Sequence, residues 1–482
     1  MSIYDKYETV IGLEVHAQLR TNSKAYSSDS TEYGALPNTN VSPISLGHPG
    51  TLPRSNKKVI EYAVKMGLAC KCDIREFNEY ARKNYFYVDL PKGYQITQDK
   101  TPICNGGYIE IKTSGGDEKR ISLTRIHMEE DSGKSIHNMD ATDTLVDLNR
   151  AGVALVEIVS EPDIRSGEEA YQYLTEVRKL VRYLDICDGN MEEGSLRCDA
   201  NVSVRLKGES AFGNRTEVKN MNSMRNVQRA IAYEAKRQID ALERGEVIAQ
   251  DTRGFNADDG TTFLLRSKEM ANDYRYFPEP DLQPVVVTKE YINEIRNNLP
   301  PLPNELFKKY TSLGLSDYDA NVITDSKELA LYFEEIIKHT SNIKSAANWL
   351  TVQIKSFLND NALHINEFSL APEKIAELVN FIDTGKINQT IADQKIFPVM
   401  LKEPNKSAQL IAEENNWIQE SDTGAIIEIV KQAVAKYPEK VEAYKAGNKK
   451  LLGLFMGEVM KLSKGKADPK VASKLVQEEL EK

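Results

Sequence analysis

The polarity of the chain alternates in its first recognisable element. In Val10-Ile11-Gly12-Leu13-Glu14-Val15-His16-Ala17-Gln18-Leu19, Leu13, Val15, Ala17 and Leu19 share one side and Glu14, His16 and Gln18 the other. A strand follows, with an apolar face and a row of carboxylate, imidazole and amide on the opposite face. Such a row can ligate a divalent ion, although a wet edge strand is the plainer reading of this stretch alone. Leu123–Asp131 alternates again, with Arg125, His127, Glu129 and Asp131 on one face. Three adjacent acids, Glu129 to Asp131, require either a solvated turn or a neutralising cation. Leu155–Asp163 is an apolar strand that carries Glu157 and Glu161. A hairpin follows: Asp199, Asn201, Ser203 and Arg205 face one way, and Arg215, Glu217 and Lys219 continue the polar face on the return.

Helical spacing marks three segments among these strands: one capped by Ser55 through Val59, Ala63 and Met66; one capped by Ser166 through Leu174, Val177 and Val181; and one started by Asn222 or Ser223 through Val227 and Ile231 and ended by Gly245. The prolines of Asp273–Leu282 predict an extended connector rather than a central strand. Beyond about residue 290 the pattern becomes helical, Pro300–Pro303 marks a boundary, and amphipathic helices occupy about 304–410.

Several polar strand faces together suggest a sheet lining a cleft for a charged ligand, and a Mg²⁺–nucleotide suits acids and cations so mixed. Neither a P-loop nor a Gly-x-Gly-x-x-Gly fingerprint occurs. Arg82-Lys83-Asn84-Tyr85-Phe86-Tyr87 could hold a phosphate and stack a base, or could pack its aromatics in a core. With 482 residues the chain should form about three domains. Its net charge of −10 excludes a generic nucleic-acid coat, so any RNA contact is local. The lysines from Lys445 to Lys474 could make that contact, or simply form a solvated face. Cys70, Cys72 and Cys104 lack a fourth zinc ligand at finger spacing, and buried thiols are the better reading. No apolar run approaches the ~20 residues of a membrane span. The N-terminus is not a signal or transit peptide, and a cytoplasmic location is expected.

Ile11–His16, Arg82–Tyr87, Leu90–Ile96, Met191–Val204, Glu217–Asn222, Tyr274–Leu282 and Gly457–Pro469 resemble the B subunit of the glutamyl/aspartyl-tRNA(Gln/Asn) amidotransferases, nearly end to end. The resemblance implies an α+β architecture: a mixed or antiparallel-sheet cradle related to glutamine synthetase (1–292), an all-α domain (293–408) and a YqeY-like, tRNA-binding α-helical tail (409–482). It implies a carbon–nitrogen ligase in protein biosynthesis that uses ATP and Mg²⁺. The ligase phosphorylates the side-chain carboxylate of Glu-tRNA(Gln) or Asp-tRNA(Asn), and ammonia then displaces the phosphate. The ammonia is glutamine-derived and comes from a partner amidase chain. That amidase and a small third chain complete a heterotrimer, GatCAB, with no membrane partner. Consistently, this chain shows neither a Gly/Ser-rich amidase stretch nor a Cys–His glutaminase pair.

By the same resemblance, Glu14, His16 and Glu129 are the expected Mg²⁺ ligands, with Glu157, Glu192 and Asp199 as weaker candidates for a second ion or for guiding ammonia. Glu14, His16, Glu129, Glu157 and Lys83 form the expected catalytic set. Arg82, Lys83, Arg197 and Lys219 should neutralise phosphates. Tyr85 and Tyr87 should pack on the base or on the tRNA 3′ end, and Lys449, Lys450, Lys461, Lys464 and Lys466 should contact tRNA. The rivals are a stand-alone carboxylate–amine ligase, which has no use for a basic tail, and a tRNA-binding scaffold, which has no use for the acidic strand faces.

Overall fold

The computed structural model describes every residue except 1, 138, 141, 268–272, 419–422, 464–466, 468 and 482. Two compact units form, Met1–Asn304 and Glu305–Lys482. The first is built on the strand Tyr7–Gln18 at the middle of a ten-stranded sheet. Its neighbours, Ala154–Ser160 and Leu196–Leu206, are both antiparallel to it. Glu118–Glu130 lies beyond the first of them and Thr216–Lys219 beyond the second. Thr252–Asn256 joins Thr216–Lys219 in parallel, so the sheet is mixed.

The alternating pattern divides this sheet into two faces. Ile11, Leu13, Val15 and Ala17 are fully buried and share a core with Val156, Ile158, Ala200 and Val202. Burying each Ile, Leu or Val contributes about 1.5–3 kcal/mol. The helices Lys57–Ala69, Gly167–Tyr183 and Met224–Glu243 add Val64, Leu174, Val177 and Val227 to the same core. The opposite, polar face is left for chemistry. Ser166 and Ser223 cap their helices as expected. Ser55 does not: Asn56 accepts the Lys58 amide, while the Ser55 hydroxyl pairs with Tyr80 Oη at 2.5 Å.

The Asp273–Leu282 connector contributes only a short strand, Phe277–Pro278, paired with Ala81–Arg82. The five cysteines are all free and buried, and none belongs to a potential metal-binding group among the described residues. The second unit is helical and contains a core of its own, formed by residues such as Ile426, Val430, Tyr444, Phe455, Val459 and Val476. Among the described residues no helix is long and apolar enough to cross a membrane.

Candidate active site

Register across the sheet decides which polar residues meet. His16 stands opposite Glu157 on one side and Arg197 on the other, and Glu157 stands opposite His127. One cross-strand row therefore reads Arg197, His16, Glu157, His127. Glu157 Oε2 lies 3.4 Å from His16 Nε2 and 3.3 Å from His127 Nε2. His127 Nε2 is also 3.5 Å from Glu129 Oε2. The ligand atoms of His127, Glu129 and Glu157 all lie within 4.8 Å of one another, and all three residues are buried.

Cations and a hydroxyl close the cluster. Lys83 Nζ is 3.6 Å from Glu129 Oε1, and Thr97 donates to Glu129 Oε2 at 3.0 Å. Burial opposes the charge of Lys83, but Glu129 and Glu157 more than restore it, so its pKa is raised. Burial likewise opposes a charged His127, yet Glu157 and then Glu129 outweigh it and push the imidazole up to about 9. Glu129 and Glu157 in turn are drawn below the usual carboxylate range: burial resists, and Lys83 for Glu129, or His127 for Glu157, prevails. The solvated turn is therefore ruled out for Glu129–Asp131. Glu130 is paired with Lys92 and accepts the Ile96 amide. Asp131 is held by Arg197 Nη2 at 2.9 Å and Gln18 Nε2 at 2.7 Å.

His16, Lys83, Gln95, Glu129, Asp131, Arg197 and Asp199 line a cavity of about 240 Å³, which brings together five of the expected residues: His16, Lys83, Glu129, Arg197 and Asp199. Lys219 joins it indirectly, 2.5 Å from Asp199 and 3.0 Å from Glu217. Other expected residues fall elsewhere. Glu14 is one strand row away, accepting from Asn201 Nδ2 at 2.9 Å, and burial followed by Glu157 raises its pKa. It lines a separate cavity of about 360 Å³ with Thr124, Ser160 and Ser203. Arg82 points to the opposite side of its strand from Lys83. There it makes a bidentate pair with Glu279 (2.7 and 2.9 Å), bonds Asp281 at 3.0 Å and lies over the Tyr94 ring. It clamps the connector and is not directed at the cluster.

Tyr85 makes edge contacts with Tyr87 and Tyr274, and Lys83 Nζ sits 5.2 Å over Tyr274. Glu192 is exposed on a turn lining a third cavity, outside the cluster. Lys449, Lys450 and Lys461 are exposed in the second unit; Lys464 and Lys466 lie outside the described residues. His127 was not among the expected ligands, although its spacing from Glu129 is the same signal that singled out Glu14 and His16.

The model of the GatB/GatE catalytic domain matches residues 9–293, which contain the whole cluster, and a second GatB domain model matches 331–480. This chain belongs to the GatB/GatE family. Its relatives there include proteins named as the B subunit of aspartyl/glutamyl-tRNA(Asn/Gln) amidotransferase. The one from Thermodesulfovibrio yellowstonii is 50% identical over 472 residues, 98% of each chain. The one from Caldicellulosiruptor bescii is 49% identical over 481 residues, 99% of this chain and 100% of its own. The one from Persephonella marina is 50% identical over 475 residues, 98% and 99% respectively.

Proposed function

We propose that this chain is the kinase and transamidase component of a tRNA-dependent amidotransferase. The observation that carries the reading is a buried acid–imidazole cluster, flanked by lysine and arginine, inside a family match that runs nearly the full length of the chain. In the first step a side-chain carboxylate oxygen of Glu-tRNA(Gln) or Asp-tRNA(Asn) attacks the γ-phosphorus of ATP, and ADP leaves. In the second, ammonia attacks the acyl carbon, phosphate departs with the former carboxylate oxygen, and the nitrogen loses a proton. Activation is required because phosphate is a far better leaving group than hydroxide. Lys83 and Arg197 line the cavity and are positioned to offset phosphate charge, as phosphoryl transfer demands.

The residues fit a divalent cation. Two carboxylates and the Nε2 side of an imidazole converge in a buried cluster. Glu129 and Glu157 would supply the oxygen ligands that Mg²⁺ prefers, with His16 and His127 beside them. A bound Mg²⁺ would neutralise the triphosphate. In this reading Glu14 lies outside the ligand set and Arg82 positions the connector. An amidase partner releases ammonia from glutamine, a small third chain completes the complex, and the exposed lysines of the tail, residues 409–482, approach the tRNA.

The test is ADP formation by the reconstituted heterotrimer, with free ammonia as nitrogen donor and each misacylated tRNA in turn. The expected result is ADP and amide only when a misacylated tRNA is present. ADP without tRNA would favour a small-molecule ligase, and none under any condition would leave a scaffold.

A further inference from the structure

A cavity of about 540 Å³ is lined by Arg178, Arg182 and Arg225 together with Asp188, Asn190, Glu192 and Asn222. Its walls continue the two strands that carry the cations of the site. Lys219 leads through Asn222 into the helix Met224–Glu243, and the 188–194 turn leads into Arg197. Asn222 is three residues from Lys219 and Glu192 five from Arg197, so these lining residues lie at most ~10 and ~18 Å from the two cations along the chain.

Arg178 and Arg182 are placed rather than loose. Gly189 has φ +67°, and a Cβ there would come 2.6 Å from Arg178 Cγ, so only glycine lets the arginine stem lie against the turn. Arg182 Nε donates to the Asp188 carbonyl at 2.6 Å. One oxygen of the Asp188 carboxylate accepts from the Asn190 amide and the Ser195 hydroxyl. Ser223 already caps the helix with its own side chain, so the guanidinium groups carry the positive charge of the cavity. Arg178 and Arg225 have no ion-pair partner among the described residues, although acids outnumber bases in this chain, 72 to 62. Unpaired arginines grouped around a cavity of this size suit a run of phosphates.

We infer that this cavity binds the sugar–phosphate backbone of the single-stranded 3′ end of the substrate tRNA, just upstream of the aminoacyl ester. The inference rests on the function proposed above and adds to it a site that holds the acceptor strand while its acyl group lies in the cluster.

The test compares wild-type complex with Arg178→Ala/Arg225→Ala, with Arg178→Lys/Arg225→Lys, and with Arg225→Ala alone, whose exposed side chain can be removed without disturbing packing. KM is measured as a function of salt for misacylated tRNA and for an aminoacylated acceptor-stem minihelix. The alanine pair is expected to raise KM on the order of tenfold for both RNAs. It should also make the log KM–log salt slope shallower by about one per arginine. Assembly and kcat should hold, Arg225→Ala should show part of the effect, and the lysine pair should recover most of it. An unchanged KM and slope would overturn the inference, as would an effect on full-length tRNA alone or a loss of complex assembly, the mark of a protein contact. Absence of tRNA-dependent ADP in the wild type would instead refute the proposed function.

Discussion

With Glu157 and Glu129 against it, His127 holds its proton to about pH 9, above the ordinary 6.5 of an imidazole. A group whose pKa is raised on folding stabilises the native state fully below its unfolded value and loses that contribution as pH rises through the folded one. In metal-free buffer, the thermal midpoint of wild type relative to His127→Gln should thus be highest below about pH 6.5 and fall through pH 9. Because a metal ligand must first shed its proton, Mg²⁺ should raise the wild-type midpoint more at about pH 10 than at pH 7. Scanning fluorimetry across that range checks both trends; a pH-independent difference would contradict them.

At the scale of elements, the connector is fastened chiefly through Arg82. Arg82 bridges the buried Glu279 and the more exposed Asp281, and Phe277–Pro278 adds only two residues of pairing. Glu279→Gln is expected to cost roughly 1–3 kcal/mol, read from denaturant midpoints, because it removes the buried bidentate partner of Arg82 and leaves only the more exposed Asp281. The period-2 signal made the faces of Tyr7–Gln18, Glu118–Glu130 and Leu196–Leu206 legible in the sequence. It also separates Arg82 from Lys83, since neighbours on a strand point to opposite sides. What it does not contain is register. Glu14 and His16 belong to one face, yet only His16 stands opposite Glu157. That pairing depends on contacts between strands more than a hundred residues apart. Likewise, three consecutive acids leave a solvated turn and a neutralising cation both open in the sequence, and Lys83, Lys92 and Arg197, from three other segments, fold over them.

At the scale of the molecule, a chain with net charge −10 would, on the proposed reading, handle a polyanion through local groups of cations. Lys83 and Arg197 stand at the cluster, Arg178 and Arg225 at a separate cavity of the same unit, and Lys449, Lys450 and Lys461 on the second unit. Steering by such patches is short-ranged at physiological salt, which keeps non-specific RNA from competing. Each patch would engage one part of a tRNA, and on the proposed reading the chemistry would converge on Glu157, the carboxylate shared by both histidines. The most direct measurement is therefore misacylated-tRNA-dependent ADP formation by the complete complex carrying Glu157→Gln, with free ammonia supplied so that the amidase is not needed. A fall of about 100-fold or more, with tRNA binding and glutaminase activity retained, is expected; ADP formation near the wild-type rate would contradict the assignment of this cluster to carboxylate activation.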